Sequence, residues 1–248
     1  MLQNQSDKIN EFLIGSLTIS KKNVLLPLNA GSGPSNPGLS QHFFNPLAPW
    51  EILDIAEEIL SNEIPYIHPT ARIESGVEIE GNVFIDEGVS IMRGSKLSGN
   101  IYVGTNTFIA NSTLIRGNTS IGKDSVIAFG ADIKNVVAGG SFRVGPLSFI
   151  GDSIVQDNCF FGGMVRVSNY RLDGKDVSVK IGDELVSTGR RQFGTITEAN
   201  CSVGIACIIL PGRIIGKNCL IGPQVIVREN IPSNTRVMVE QTLHKTKI

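Results

Sequence analysis

Histidine is scarce in this sequence: three stand in 248 residues, at His42, His68 and His244. Two lie outside the repeats described below, and His68 sits at their first rung, so the later repeats have no imidazole to bind zinc or accept a proton. Cysteine is nearly as rare, with four residues, Cys159, Cys201, Cys207 and Cys219. None forms a C-x-x-C pair and none has a histidine nearby, so a zinc site is not expected. Excess charge is missing too. A net charge of −1 gives a nucleic-acid partner no electrostatic support. No apolar run approaches the length of a membrane span, so no membrane partner is expected. The first residues, Met1 to Gly15, lack a basic start followed by an apolar core. A signal peptide is therefore not expected, and unpaired thiols point to a reducing, cytoplasmic compartment.

What the sequence does have is a repeat. From Ile67 to Ile133, every sixth residue is aliphatic without a break: Ile67, Ile73, Ile79 and onward through Leu97, Val103 and Ile127. Four residues after each comes a second series, from Ala71 to Val137, of mostly small or β-branched residues. A period of six fits neither a helix nor a long strand. It predicts short strands joined by tight turns and stacked into a parallel β-helix, each rung giving one large and one small inward side chain. Gly, Asn, Asp and Lys between the rungs suit the corners. A sandwich of short strands would lose the phase within a few repeats.

Around this repeat the sequence predicts three segments. Residues 1–64 form an N-terminal segment: an alternating stretch from Phe12 to Leu28, a turn-rich linker Asn29-Ala-Gly-Ser-Gly-Pro-Ser-Asn-Pro-Gly38, and a helix from Pro49 to Leu60. Pro49 suits the helix's first turn, and its Trp50–Leu53–Leu60 face is expected to cap the open end of the solenoid. Residues 65–232 form the β-helix. After Ile133 the phase shifts to Phe149, Val155 and Phe161, breaks for an excursion over 166–195, and resumes at Val203, Ile209, Ile215, Ile221 and Val227. Within the excursion, Gly182-Asp183 predicts a hairpin. All four cysteines fall on the small inward position and are expected as buried fillers. This gives about seven coils at roughly 4.8 Å each, followed by a tail over 233–248.

The hexads resemble the hexapeptide-repeat acyltransferases. More closely, the chain is similar to the C-terminal acetyltransferase domain of bifunctional sugar-1-phosphate nucleotidyltransferases. The similarity runs over residues 45–232. It rests on Phe149-Ile-Gly-Asp-Ser153, Asp157-Asn158, Asn169-Tyr170, Thr188-Gly-Arg-Arg-Gln-Phe-Gly194 and Leu210-Pro-Gly-Arg-Ile-Ile-Gly216. The nucleotidyltransferase domain is not expected here, because residues 1–64, before the β-helix, are too few for an α/β domain of that kind. The resemblance implies an all-β, left-handed parallel β-helix. It also implies a homotrimer with a sugar phosphate or nucleotide sugar, and acyl-CoA, in clefts between subunits. Acetyl-CoA or another acyl-CoA enters as co-substrate, and no tightly bound cofactor or metal is expected.

Carried over by position, Arg116 and Lys134 match residues that hold the sugar phosphate. The spacing agrees: they stand eighteen residues apart, one coil, so like charges stack and either a bound anion or local acids must relieve them. Asn169 and Tyr170 match the pair that contacts the amino sugar, Arg190 and Arg191 stand where they can reach a second phosphate, and Gly163 matches a small residue lining the acyl-CoA cleft. The catalytic histidine of the segment H-L-T-Y-L-G-D is Pro146 in Pro146-Leu-Ser-Phe-Ile-Gly-Asp152. Phe149 and Phe160 replace a site tyrosine and asparagine. No catalytic residue is therefore assigned. Two functions stay open: an acyl-CoA-dependent acyltransferase, or a non-catalytic sugar-phosphate-binding or structural trimer on the same scaffold.

Overall fold

The computed structural model describes residues 48–62 and 64–247. The alternating stretch at Phe12 to Leu28 and the linker after it lie outside the described residues. The hexads become two-residue strands, each followed by a turn. Nine of them stack into one parallel sheet, from Arg72–Ile73 at one end to Arg236–Val237 at the other. The other two walls form a single eleven-stranded sheet, because strands such as Glu78–Ile85, Lys96–Val103 and Leu114–Ile121 run through a corner of the prism. The architecture is the left-handed parallel β-helix expected from the sequence. It is taller than the expected seven coils, partly because the strand Arg236–Val237, in the segment read as a tail, pairs with Leu220–Ile221 as a further rung.

The bent strands turn at stacked glycines. Gly81 and Gly99 have φ of 93° and 129°, in the left-handed region. A Cβ on Gly99 would sit 2.4 Å from the Gly117 carbonyl oxygen, so the coils stack too closely there for any side chain. Two coils on, the corner passes to Asn135 and Asp152, each with φ of 49°. These residues tolerate the conformation and bring hydrogen-bonding groups to the corner. That change from glycine to polar residues starts the site described below.

Inside the prism the aliphatic series is fully buried from Ile85 through Ile133. The small inward positions do more than fill space. Ser95, Ser125 and Ser148 donate to the carbonyls of Ala110, Gly122 and Gly162 at 2.8, 2.6 and 3.0 Å. The thiols of Cys159, Cys201, Cys207 and Cys219 likewise lie 3.0–3.1 Å from the carbonyls of Glu198, Gly216, Gly222 and Pro232. All four are free and buried. Burial raises the pKa of Cys207 and Cys219, holding both as neutral thiols.

The helix does not cap an end. Pro49–Glu51 forms a short 3-10 turn and Ile52–Asn62 the helix. It lies across the outer wall, against the strands that cover residues 96–155. The reason is an outward column on that wall, in register coil by coil: Tyr102, Ser120, Val137, Ile154, Ile196 and Ile214. An end cap would cover one coil, whereas the flank lets Trp50, Leu53 and Ala56 join an apolar cluster with Val137, Ile154 and Ile196. The excursion completes this cover. It leaves after Arg166–Val167, itself a paired rung, and returns at Thr195–Thr197. Its hairpin pairs Ser178–Ile181 with Glu184–Ser187 around Gly182-Asp183, as expected. Val177, Val179, Ile181 and Phe193 are buried in the same cluster, and Trp50 meets Phe193 edge-on at 6.4 Å.

Candidate functional site

Arg116 and Lys134 are register partners on adjacent coils, as their spacing requires. Each has a carboxylate. The Arg116 fork grips Asp132, Nε to Oδ1 and Nη2 to Oδ2, both at 3.0 Å. This hydrogen bonding raises the Arg116 pKa against the opposing effect of burial, so it stays cationic. Lys134 Nζ lies 3.2 Å from Asp152 Oδ2 and donates to Gln192 Oε1 at 2.8 Å. The stacked charges are thus relieved by local acids, and an anion is not needed to hold them together.

Asp152 is the hub. Its side chain is 4% exposed, and it accepts from three side chains: Lys134, Asn135 Nδ2 at 2.8 Å, and Asn169 Nδ2 at 2.5 Å. A buried carboxylate needs such donors. Tyr170 sits beside them, half-exposed, in an antiparallel bridge with Gln192. The structure therefore gathers Lys134, Asn169 and Tyr170 where the excursion leaves and rejoins the wall, with Arg116 one coil away. Arg190 does not join them. It donates to Asp54 at 2.5 Å, tying the excursion to the flanking helix. Arg191 is exposed.

An apolar edge adjoins this polar group. The Phe149 ring lies over Gly151, where a Cβ would meet Phe149 Cζ at 2.6 Å and Asn169 Nδ2 at 3.0 Å. Pro146 and Gly163 occupy neighbouring coils: a Cβ on Gly163 would touch the Pro146 ring at 3.4 Å, and Met164 N donates to the Pro146 carbonyl at 2.8 Å. Along the same corner Phe129, Leu147, Met164 and Ile205 are about half exposed, and Phe160, on the strand that leads into this corner, is 45% exposed. Among the described residues, no three His, Cys, Asp or Glu side chains are placed to hold a metal ion. Nor is any described helix long and apolar enough to cross a membrane.

Sequence reasoning missed Asp132, Gln192 and the role of Asp152. Asp132 was readable. It stands sixteen residues after Arg116, nearly one coil, on the same wall. Gln192 was not, because no repeat fixes where the excursion returns.

A family model described as the GMPPB C-terminal domain matches residues 97–190, which include Arg116, Lys134, Asp152 and Asn169. A bifunctional protein GlmU of Methanococcus maripaludis is 45% identical over 199 residues, covering 80% of this chain and 48% of that protein. An uncharacterized acetyltransferase, YaiX, of Escherichia coli is 42% identical over 109 residues, 44% of this chain and 47% of that protein. Among solved structures, UDP-N-acetylglucosamine acyltransferase from Campylobacter jejuni aligns at 16% identity with a TM-score of 0.35, covering 69% of this chain and 70% of that one. The chain spans about half the length of the curated relatives it matches. It resembles the acetyltransferase part of the bifunctional sugar-1-phosphate nucleotidyltransferases, as the motifs suggested.

Proposed function

We propose that this chain binds a sugar phosphate or nucleotide sugar on a sugar-acyltransferase scaffold, and that its acyl transfer from acyl-CoA is absent or very slow. The observation that carries the reading is the contrast within one site. Lys134, Asn169 and Tyr170 gather at Asp152 with Arg116 one coil away, while Pro146, Phe149 and Phe160 replace the polar groups expected beside them. Arg116 and Lys134 bring charge to a phosphate, and Asn169 and Tyr170 bring hydrogen bonds to the sugar. Arg191 is exposed and free to reach a second phosphate, whereas Arg190 must first leave Asp54.

Transfer needs a base. An attacking amine must lose a proton as its bond to the acyl carbon forms, and a positioned base contributes about 10²–10⁴-fold. The Pro146 side chain has no basic group to offer. Asp152 is closest to a substitute, but its oxygens already accept from Lys134, Asn135 and Asn169, and its side chain is buried.

The same reading gives the apolar edge two uses. Gly163 leaves room for an acyl-CoA arm, and the corner of Phe129, Leu147, Met164 and Ile205 suits self-association as a trimer with clefts between copies. Four unpaired thiols suit a reducing compartment such as the cytoplasm. Calorimetric titration with glucosamine-1-phosphate, beside a thiol-release assay with acetyl-CoA, tests the reading. Binding with little or no release supports it. Steady release refutes it, and absence of binding leaves only a structural trimer.

A further inference from the structure

Arg116 and Lys134 differ in their free donors. Arg116 uses Nε and Nη2 on Asp132, and its Nη1 has no hydrogen-bond partner among the described residues. With a side chain 38% exposed, it can meet an anion directly. Lys134 has no donor to spare. An ammonium has three N–H groups, and three acceptors face this one: Asp152 Oδ2 at 3.2 Å, Asp152 Oδ1 at 3.5 Å and Gln192 Oε1 at 2.8 Å. A phosphoryl oxygen that reaches Lys134 must therefore displace one of them.

The three acceptors are not equally easy to displace. Asp152 is buried, and Asn135 Nδ2 and Asn169 Nδ2 hold its two oxygens at 2.8 and 2.5 Å. Asn135 is fixed in turn, its Oδ1 accepting from the Asn118 backbone N at 2.9 Å. Pulling Lys134 off Asp152 would leave a buried carboxylate without its counter-charge, which is strongly destabilising. Gln192 is exposed and neutral, and its side chain makes no other hydrogen bond among the described residues. The backbone beneath it is pinned. Gln192 bridges Tyr170, Phe193 N donates to the Asn169 carbonyl at 2.9 Å, and the Phe193 side chain is buried in the apolar cluster under the helix. Gln192 can thus leave Lys134 by a side-chain rotation, with the excursion still in place.

We propose that Gln192 gates the anion site: its amide oxygen stands where a phosphoryl oxygen must go, so a phosphorylated ligand takes Lys134 only in exchange for it. The gate rests on the sugar-phosphate reading above and adds to it the residue that sets affinity. The exchange favours a charged ligand. A neutral sugar hydroxyl gains nothing over the amide that it would replace, whereas a phosphoryl group puts an ion pair in place of a contact with a neutral oxygen. Gln192 therefore tunes the site toward phosphorylated sugars and keeps Lys134 covered until one arrives.

Calorimetric titration with glucosamine-1-phosphate on the full chain, Q192M, Q192E and R116Q tests it. Methionine keeps the length of the side chain and removes the amide oxygen, and melting curves check that each variant is folded. Q192M is expected to bind at least about threefold tighter, because no hydrogen bond to Lys134 has to be displaced. Q192E is expected to bind at least about tenfold weaker, because its carboxylate holds Lys134 more firmly and repels the phosphate. Unchanged or weaker binding in Q192M overturns the gate, and if R116Q still lowers the affinity, the sugar-phosphate reading survives. Absence of binding in both the full chain and Q192M removes that reading and the gate with it.

Discussion

Two walls of this prism pack the same core and face outward in opposite ways. On one, the outward column of Val137, Ile154, Ile196 and Ile214 is apolar and sealed under the helix and the excursion hairpin. On another, the outward positions Phe108, Val126, Phe160 and Leu220 are also apolar, yet each is about 40% exposed. The inward rungs cannot tell these walls apart, since both bury an aliphatic in every coil. The difference is in what covers them. The chain supplies its own cover for the first wall, and the second keeps an apolar surface of the kind that subunits bury. The site lies where the cover begins: the excursion that seals one wall also delivers Asn169, Tyr170 and Gln192 to Lys134.

The largest effect is expected on the sealed wall. Trp50→Ala removes a buried ring from the junction with Phe193, and buried aromatic truncations cost about 3–5 kcal/mol. Urea unfolding should show that loss, and a change below about 1 kcal/mol would mean the cover contributes little. The open wall should respond in the opposite manner. Phe108→Asp should leave subunit stability within about 0.5 kcal/mol but abolish self-association. Light scattering at micromolar concentration reads it, and a monomeric parent protein would remove the proposed clefts altogether.

A smaller effect sharpens what the inward positions do on every wall. If the thiols serve as donors to corner carbonyls, Cys201→Ser should be near neutral while Cys201→Ala costs about 1–2 kcal/mol from the lost bond and the cavity. Equal losses would reduce the thiols to space fillers. The four thiols should also resist labelling without denaturant, and rapid modification of two or more would contradict their burial.

Most of the scaffold was legible because it is periodic. The six-residue phase located the rungs from Ile67 to Val227, the inward thiols and the excursion that interrupts them. The hairpin at Gly182-Asp183 was legible from turn chemistry alone. The helix was found but misplaced, because reading inward positions says nothing of the outward column that receives it. Its own apolar face is compatible with an end or a flank. Tyr102, Val137 and Ile154 decide, and they lie between the residues that carry the repeat. In the site, the stacking of Arg116 on Lys134 followed from one coil of spacing. Of their acids, Asp132 was within reach of the same spacing, whereas Asp152 was not, because it meets Lys134 only where the corner turns into the left-handed conformation. Arg190 shows the same limit: its partner, Asp54, lies 136 residues away, and no local pattern connects them.

The central claim is that binding survives where transfer does not. The most direct measurement takes one preparation, titrates it with glucosamine-1-phosphate, and then follows thiol release after adding acetyl-CoA. The account predicts measurable binding, weakened at least about tenfold in Arg116→Ala, a loss of roughly 1.4 kcal/mol, with release far below about one turnover per second. Release at or above that rate, or binding that Arg116→Ala leaves unchanged, would contradict it.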